Sequence, residues 1–83
     1  MKKSTVRFER LRSVLEGIGF QATREHLGWR FEHAASGAEL IFRRYRPTDF
    51  VYAIDLFKVQ SHLDWRGLMT PEAFESSLTK TPA

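Results

Sequence analysis

The sequence predicts a small α+β domain in which helices pack on an antiparallel three-stranded sheet, in the order α-β-β-β-α with an extra short carboxyl-terminal helix. Two observations support this fold class. The spacing of apolar residues is three or four up to Ile18, changes to two between Phe20 and Tyr45, and then returns to helical spacing. A chain of 83 residues is also long enough for one modest core but not for two.

The first helix is predicted from a run of apolar residues at helical spacing, and its opposite face is charged. These apolar residues are Phe8, Leu11, Val14, Leu15 and Ile18. We expect Ser4 or Thr5 to cap the beginning of this helix, because both side chains can accept a backbone hydrogen bond there. Gly17 or Gly19 is expected to close it in the left-handed conformation.

Three short strands are predicted after this helix. Phe20 begins the first, residues 29–33 alternate in the second, and residues 39–45 form the third. A tight turn at residues 35–37 joins the last two strands. We place Ile41, Arg43 and Tyr45 on one face of the third strand, opposite Leu40 and Phe42.

The segment from residue 50 to residue 59 is ambiguous between strand and helix, and the spacing of its apolar residues favours a helix over residues 53–66 that ends at Gly67. Thr70 and Pro71 predict the start of the last short helix. The predicted core comprises Leu11, Val14, Leu15, Ile18, Leu40, Phe42, Leu56, Val59 and Leu63. Residues 1–83 form one domain with a structured part from 5 to 79, while residues 1–4 and 80–83 are expected to fray.

Composition narrows the class of protein. The chain has no cysteine, no apolar run that could span a membrane and no apolar segment typical of a signal peptide, so we expect a cytoplasmic protein. Residues 1–46 carry ten Lys and Arg against five Glu, whereas residues 47–83 carry three against five acidic residues. An arginine-rich amino-terminal half favours a phosphate or carboxylate partner.

The densest basic cluster is Arg43, Arg44 and Arg46, and we expect it to join Arg24 or Arg30 in one RNA-binding patch. Trp29 is a candidate for stacking on a base. The alternative explanation is that these arginines only protect an exposed strand edge from aggregation, and that Trp29 fills the core.

His26 and His33 are candidate catalytic residues, because a histidine can remove the proton of a ribose 2′-hydroxyl and start RNA cleavage. The alternative is that both are ordinary surface histidines. The histidines have no spacing typical of a metal site, and the sequence has no glycine-rich phosphate loop, so neither a metal nor a cofactor is predicted.

Three stretches together resemble the HicA family of small bacterial toxins, which includes the YcfA-type proteins: RLRSVLEGIGFQATR, GWRFEHAASGAELIFRRY and AIDLFKVQSHLDWRGLMTPEAFESSL. The resemblance covers residues 10–78. It implies a fold like a double-stranded-RNA-binding domain and a toxin–antitoxin module, in which an mRNA-cleaving ribonuclease is held inactive by a HicB antitoxin.

The chain departs from the family at the position that matters most. The family places its catalytic histidine in a Gly-Ser-His triplet, and the corresponding position here is Trp29 in Leu27-Gly28-Trp29. An indole cannot accept a proton. We therefore expect an RNA-binding domain with a degenerate nuclease site. The alternatives are an active metal-independent ribonuclease that uses His26 or His33, and a protein-interaction module for an acidic, antitoxin-like partner.

Overall fold

A three-stranded antiparallel sheet lies at the centre of the fold, and a second, two-stranded sheet accompanies it. The computed structural model describes residues 1–79. In chain order the elements are β1 (Lys3–Arg7), α1 (Phe8–Gly17), β2 (Phe20–Glu25), β3 (Gly28–His33), β4 (Ala38–Phe42), β5 (Phe50–Tyr52), α2 (Ala53–Trp65) and α3 (Pro71–Thr79). The order of α1, β2, β3, β4 and α2, followed by the short helix α3, confirms the predicted fold class.

The three-stranded sheet, ordered β2-β3-β4, buries one face only. Its register places Ala22 opposite Phe31 and Phe31 opposite Leu40, and this row packs in or against the core. The neighbouring positions Thr23 and Ile41 lie on the other face and are exposed. This alternation is what a spacing of two predicts, because successive side chains of a strand point to opposite faces.

The core is centred on Phe8, which contacts aromatic rings from three segments. Its ring centroid lies 5.2 Å from that of Tyr45, 5.3 Å from Trp29, 5.9 Å from Phe42 and 6.1 Å from Phe31. Among the predicted core residues, six are buried and three are partly buried against the cluster. The buried ones are Leu11, Leu15, Leu40, Phe42, Val59 and Leu63, and the partly buried ones are Val14, Ile18 and Leu56.

β1 and β5 form an antiparallel ribbon that the sequence analysis did not predict. Lys3 is opposite Tyr52 and Arg7 is opposite Phe50, and the register shifts between these two pairs. The hydroxyl of Ser4, expected to cap α1, instead donates a 2.7 Å hydrogen bond to a carbonyl oxygen of β5. Lys3 and Ser4, which we expected to fray, are therefore held in a strand.

α1 begins at Phe8, later than predicted, and has no side-chain cap. The N–H groups of Phe8 and Glu9 donate instead to the carbonyl oxygens of Asp49 and Pro47, at 2.8 and 2.9 Å. The loop before β5 thus satisfies the first amide groups of the helix, which otherwise have no partner within it.

The carboxyl-terminal helices agree with the prediction. α2 covers the predicted range to within one residue, and Gly67 follows its end with a φ of 70°. Thr70 caps α3, because its Oγ1 accepts the N–H of Ala73 at 3.1 Å, and Phe74 is buried. The fraying expected for residues 80–83 lies outside the described residues.

Tyr45 does not lie where the sequence placed it. β4 ends at Phe42, so Tyr45 is not on the exposed face with Ile41 and Arg43. It is buried instead, and its ring stacks on Phe8 with an interplanar angle of 20°. This inward turn of the chain brings the segment after β4 beside the ribbon.

Candidate nucleic-acid interface

The outer face of the ribbon pairs cations with aromatic rings. Lys3 Nζ lies 5.7 Å from the centroid of the Tyr52 ring, and Arg7 Cζ lies 5.2 Å from the centroid of the Phe50 ring. Both distances are within the range of a cation–π interaction. Among the described residues, no carboxylate lies within 4 Å of either cation, so their charges remain available to a ligand.

Two arginines reach the ribbon from the end of β4. Arg43 Cζ lies 4.6 Å from the centroid of the Tyr52 ring, and Arg43 and Arg44 line a cavity of about 240 Å³ with residues of both ribbon strands. The complete lining is Lys3, Arg43, Arg44, Tyr45, Asp49, Phe50 and Tyr52. We call the set Lys3, Arg7, Arg43, Arg44, Phe50 and Tyr52 the ribbon surface.

A buried carboxylate fixes the position of Arg43. Asp55 is 7% exposed, and its Oδ2 accepts hydrogen bonds from Arg43 Nε at 3.0 Å and from the Tyr45 hydroxyl at 2.5 Å. Its Oδ1 accepts a longer one, at 3.3 Å, from Arg43 Nη2. The Tyr45 hydroxyl also accepts the N–H of Tyr52 at 3.0 Å. α2, β5 and the segment after β4 are therefore joined beneath the ribbon surface.

This network changes the proton affinity of its members. The hydrogen bond to Asp55 raises the pKa of Arg43 above its ordinary value. Burial raises the pKa of Tyr45, and the hydrogen bond to Asp55 adds to this effect. Arg43 stays charged, and only its Nε and Nη2 groups donate to Asp55. Its other N–H groups can therefore contact a phosphate, because the side chain is partly exposed.

A groove extends the ribbon surface towards α1. It has a volume of about 490 Å³, and Arg7 lines it together with Arg10 and Ser13 of α1 and Leu78 of α3. Arg7 therefore belongs both to the ribbon surface and to this groove. Its position connects the ribbon surface to Arg10, and the carboxylate of Glu9 also lines the groove between these two arginines.

The exposed face of the three-stranded sheet differs from the ribbon surface, because its arginine is paired with carboxylates. Arg30 lies between two carboxylates, donating to Glu25 at 3.0 Å and to Glu39 at 3.1 Å. Glu25, followed by Glu39, raises the pKa of Arg30. Glu32, on the same strand, adds a third negative charge to this face. The face is thus not the basic surface that the sequence predicted, and Arg30 is compensated within it.

Comparison with known proteins identifies no relative. Neither the family models, nor the curated proteins, nor the solved structures contain a match to this chain.

Trp29 lies in the core and is therefore not accessible for stacking on a base. It is 8% exposed, and its Nε1–H donates to the carbonyl oxygen of Tyr45 at 3.1 Å. The Arg12 guanidinium covers the indole, with Cζ 5.0 Å from the ring centroid. Of the two explanations that the sequence left open for Trp29, the structure favours a core residue.

His33 is also a structural residue in this arrangement. Its Nε2 lies 2.9 Å from the carbonyl oxygen of Ile18, which can only accept, so Nε2 carries the proton. Nδ1 accepts the N–H of Ser36 at 3.2 Å and lies 2.8 Å from its hydroxyl. Both ring nitrogens are occupied, so His33 is not placed to act as a general base.

The other predicted site residues are exposed but separate. His26 lies in the turn between β2 and β3, which is at the end of the sheet where β4 leads into Arg43. Arg24 is opposite Trp29 and thus on the helix side of the sheet, away from the face that carries Arg30. Arg46 lies in the loop before β5, where its backbone N–H donates to Asp49 at 2.8 Å. Of the predicted RNA-binding residues, the structure brings Arg43 and Arg44 together in one cavity, and Arg24 lies opposite the buried Trp29.

Four residues of the ribbon surface were missed from the sequence: Lys3, Arg7, Phe50 and Tyr52. The available signal was the β-branched pair Thr-Val and the run Phe-Val-Tyr, because β-branched and aromatic residues are typical of strands. Residues 1–79 hold no cluster of three potential metal ligands, and none of their helices is long and apolar enough to cross a membrane.

Proposed function

We propose that this chain is an RNA-binding domain that holds single-stranded RNA on the ribbon surface and does not cleave it. The observation that carries the proposal is the cavity in which Lys3, Arg43 and Arg44 meet the rings of Phe50 and Tyr52. Cations along a groove bind phosphates, and aromatic rings beside them stack on unpaired bases.

The aromatic rings favour single strands over duplexes. A base can stack on a side chain only when it is not already stacked and paired within a duplex. Phe50 is 41% exposed and Tyr52 is partly exposed, so both rings offer area to a base. The groove beyond Arg7 would then receive the continuing RNA backbone through Arg10.

The relationship to the HicA family is part of the same proposal. Its support is the order and spacing of the three resembling stretches, together with an α-β-β-β-α order like the one that the resemblance implies. In this proposal the chain is a divergent, cytoplasmic member that binds mRNA, and a HicB-like protein is its expected partner. Expression of the chain alone should not arrest growth.

Fluorescence anisotropy with a labelled, mixed-sequence single-stranded RNA tests the binding surface. The double variant Lys3→Ala/Arg44→Ala should bind more weakly. It should also lower the slope of log affinity against log salt by about 0.7 for each lost phosphate contact. The matched control is Arg24→Ala/Arg30→Ala, which removes the same charge from exposed sites elsewhere. It should retain the parental slope.

Other outcomes would refute the proposal. Equal losses in the two double variants would mean that only net charge matters. No measurable RNA binding by the parent would favour an acidic protein as the partner of the ribbon surface.

A ribonuclease is the second candidate function, and it rests on His26. This histidine is exposed at the end of the sheet where Arg43 could hold a phosphate. Incubation of the protein with labelled RNA tests the idea, and we expect no cleavage. Cleavage that His26→Ala abolishes, while the variant remains folded, would establish the enzyme instead.

A further inference from the structure

α2 carries large apolar side chains on two sides, although only one side packs on the domain. Val59 and Leu63 face the core and are at most 1% exposed. On the opposite side Phe57 is 62% exposed and Trp65 is 82% exposed, and Ile54 adds a third exposed apolar side chain. Large apolar side chains that are exposed together on one face often mark a protein-interaction site.

The exposed apolar residues of α2 lie on one helix face, which also carries Lys58 and Ser61. Ile54, Phe57, Lys58 and Trp65 are spaced by three, four and eleven residues from the first, which places them on one helix face. Lys58 also lines a cleft with Ile41, an apolar residue of β4 that is 63% exposed. We call these five residues the α2 face.

Lys58 has no carboxylate within 4 Å among the described residues. Asp55 lines the same cleft, but it accepts hydrogen bonds from Arg43 and Tyr45 instead. A partner that covers the α2 face would remove water from this amine, and an unpaired charge is costly to bury. The covering surface must therefore supply a carboxylate. A surface without one would lose part of the free energy gained from apolar contact.

We propose that the α2 face binds an amphipathic helix of another protein, and that the apolar side of this helix carries an aspartate or glutamate opposite Lys58. A helix fits better than a strand, because the face is straight and runs for about 17 Å along α2.

A second copy of this chain is the less favourable occupant. In a two-fold pairing of identical α2 faces, residues near the middle of the face meet their own copies. Lys58 lies near that middle, so two lysines would enter the same interface without a carboxylate between them. Electrostatic complementarity therefore favours a different protein with an acidic residue.

Selection from a random peptide library displayed on phage tests the proposal with the whole chain as target. Enriched peptides should carry Asp or Glu with large apolar residues three or four positions away on either side. Synthetic peptides of that pattern should bind Lys58→Glu roughly tenfold more weakly. Selection on Lys58→Glu should replace the acidic residue with Lys or Arg.

Control variants distinguish specific binding at the α2 face from nonspecific binding to any exposed apolar residue. Phe57→Ser should abolish binding of the selected peptides, whereas Leu27→Ser should not, although Leu27 is 82% exposed in the β2–β3 turn. Peptides that lack an acidic residue, or that bind both serine variants equally, would overturn the proposal. Sedimentation of the chain alone should show a monomer, and a dimer that Phe57→Ser dissociates would identify a second copy as the occupant.

Discussion

The two exposed sheet faces of this molecule use arginine in opposite ways. On the three-stranded sheet, Arg30 is held between Glu25 and Glu39, at 3.0 and 3.1 Å. On the ribbon, Lys3 and Arg7 lie over aromatic rings, and no described carboxylate lies within 4 Å of them. The first arrangement compensates charge within the sheet, whereas the second leaves it for a ligand.

The comparison shows that cross-strand neighbours decide what a cation does. All four cations of the ribbon surface lie in the basic amino-terminal half, and so does Arg30. The strands beside β3 place Glu25 and Glu39 diagonally from Arg30 on the same face. β5 instead places the rings of Tyr52 and Phe50 opposite the cations of β1. The count of basic residues is therefore a poor guide to the binding surface, and the register is a better one.

The substitution with the largest expected effect is at Trp29, a residue that contacts both regions. Trp29 packs against Phe8 under the sheet and donates to Tyr45 beside the ribbon. Trp29→His, which would restore the histidine expected from the HicA resemblance, should lower the free energy of unfolding by about 3–5 kcal/mol. Urea denaturation measures this loss. A variant as stable as the parent that gains RNA cleavage would show that position 29 belongs to a catalytic site.

The fold class was predictable because its elements are periodic. α1 and α2 follow from apolar residues at helical spacing, and β3 and β4 follow from alternation on each side of the turn that contains Gly37. β1 and β5 were not predictable in the same way. β5 has three residues, the register of β1 shifts, and the hydrogen bond from Ser4 to Val51 joins positions 47 residues apart.

The candidate site was only partly predictable for a related reason. Arg43 and Arg44 stand out as a basic pair in the sequence, but the rings that they approach come from the unpredicted β5. The burial of Trp29 depends on packing with α1, which the spacing of β3 alone does not show. The ion pairs of Arg30 were easier to predict, because the strand alignment places Glu25 and Glu39 on the same sheet face as Arg30.

The second prediction concerns Asp55, the buried carboxylate that fixes Arg43 at the ribbon surface. Asp55→Asn removes the charge that holds Arg43 and weakens the hydrogen bond from Tyr45. We expect the free energy of unfolding to fall by about 1.5–3 kcal/mol, because the substitution weakens hydrogen bonds to a charged group. RNA affinity should fall as well, since Arg43 is no longer fixed. Asp64→Asn, an exposed change on the same helix, is the matched control and should leave both quantities unchanged.

The third prediction separates stacking from charge on the ribbon surface. Phe50→Ala should weaken binding of single-stranded RNA by about 1–3 kcal/mol, the range for loss of one base–aromatic contact. Its salt dependence should stay parental, because no phosphate contact is lost. The control Phe57→Ala removes an exposed ring of similar size from α2. Equal affinities of the two variants would mean that bases do not stack on the ribbon.

The smallest expected effect concerns Arg30, and it is the most direct test of the comparison. Arg30→Ala breaks two ion pairs whose members are all more than a third exposed. Because solvent screens such pairs, urea denaturation should give nearly the parental free energy of unfolding. We expect RNA affinity not to fall, since our proposal assigns RNA binding to the ribbon surface and not to the face that carries Glu25 and Glu39. Anisotropy titrations beside Arg44→Ala, which removes one arginine from the ribbon surface, measure this difference. If Arg30→Ala weakens RNA binding as much as Arg44→Ala, the glutamates do not compensate Arg30 and both sheet faces belong to one RNA-binding surface.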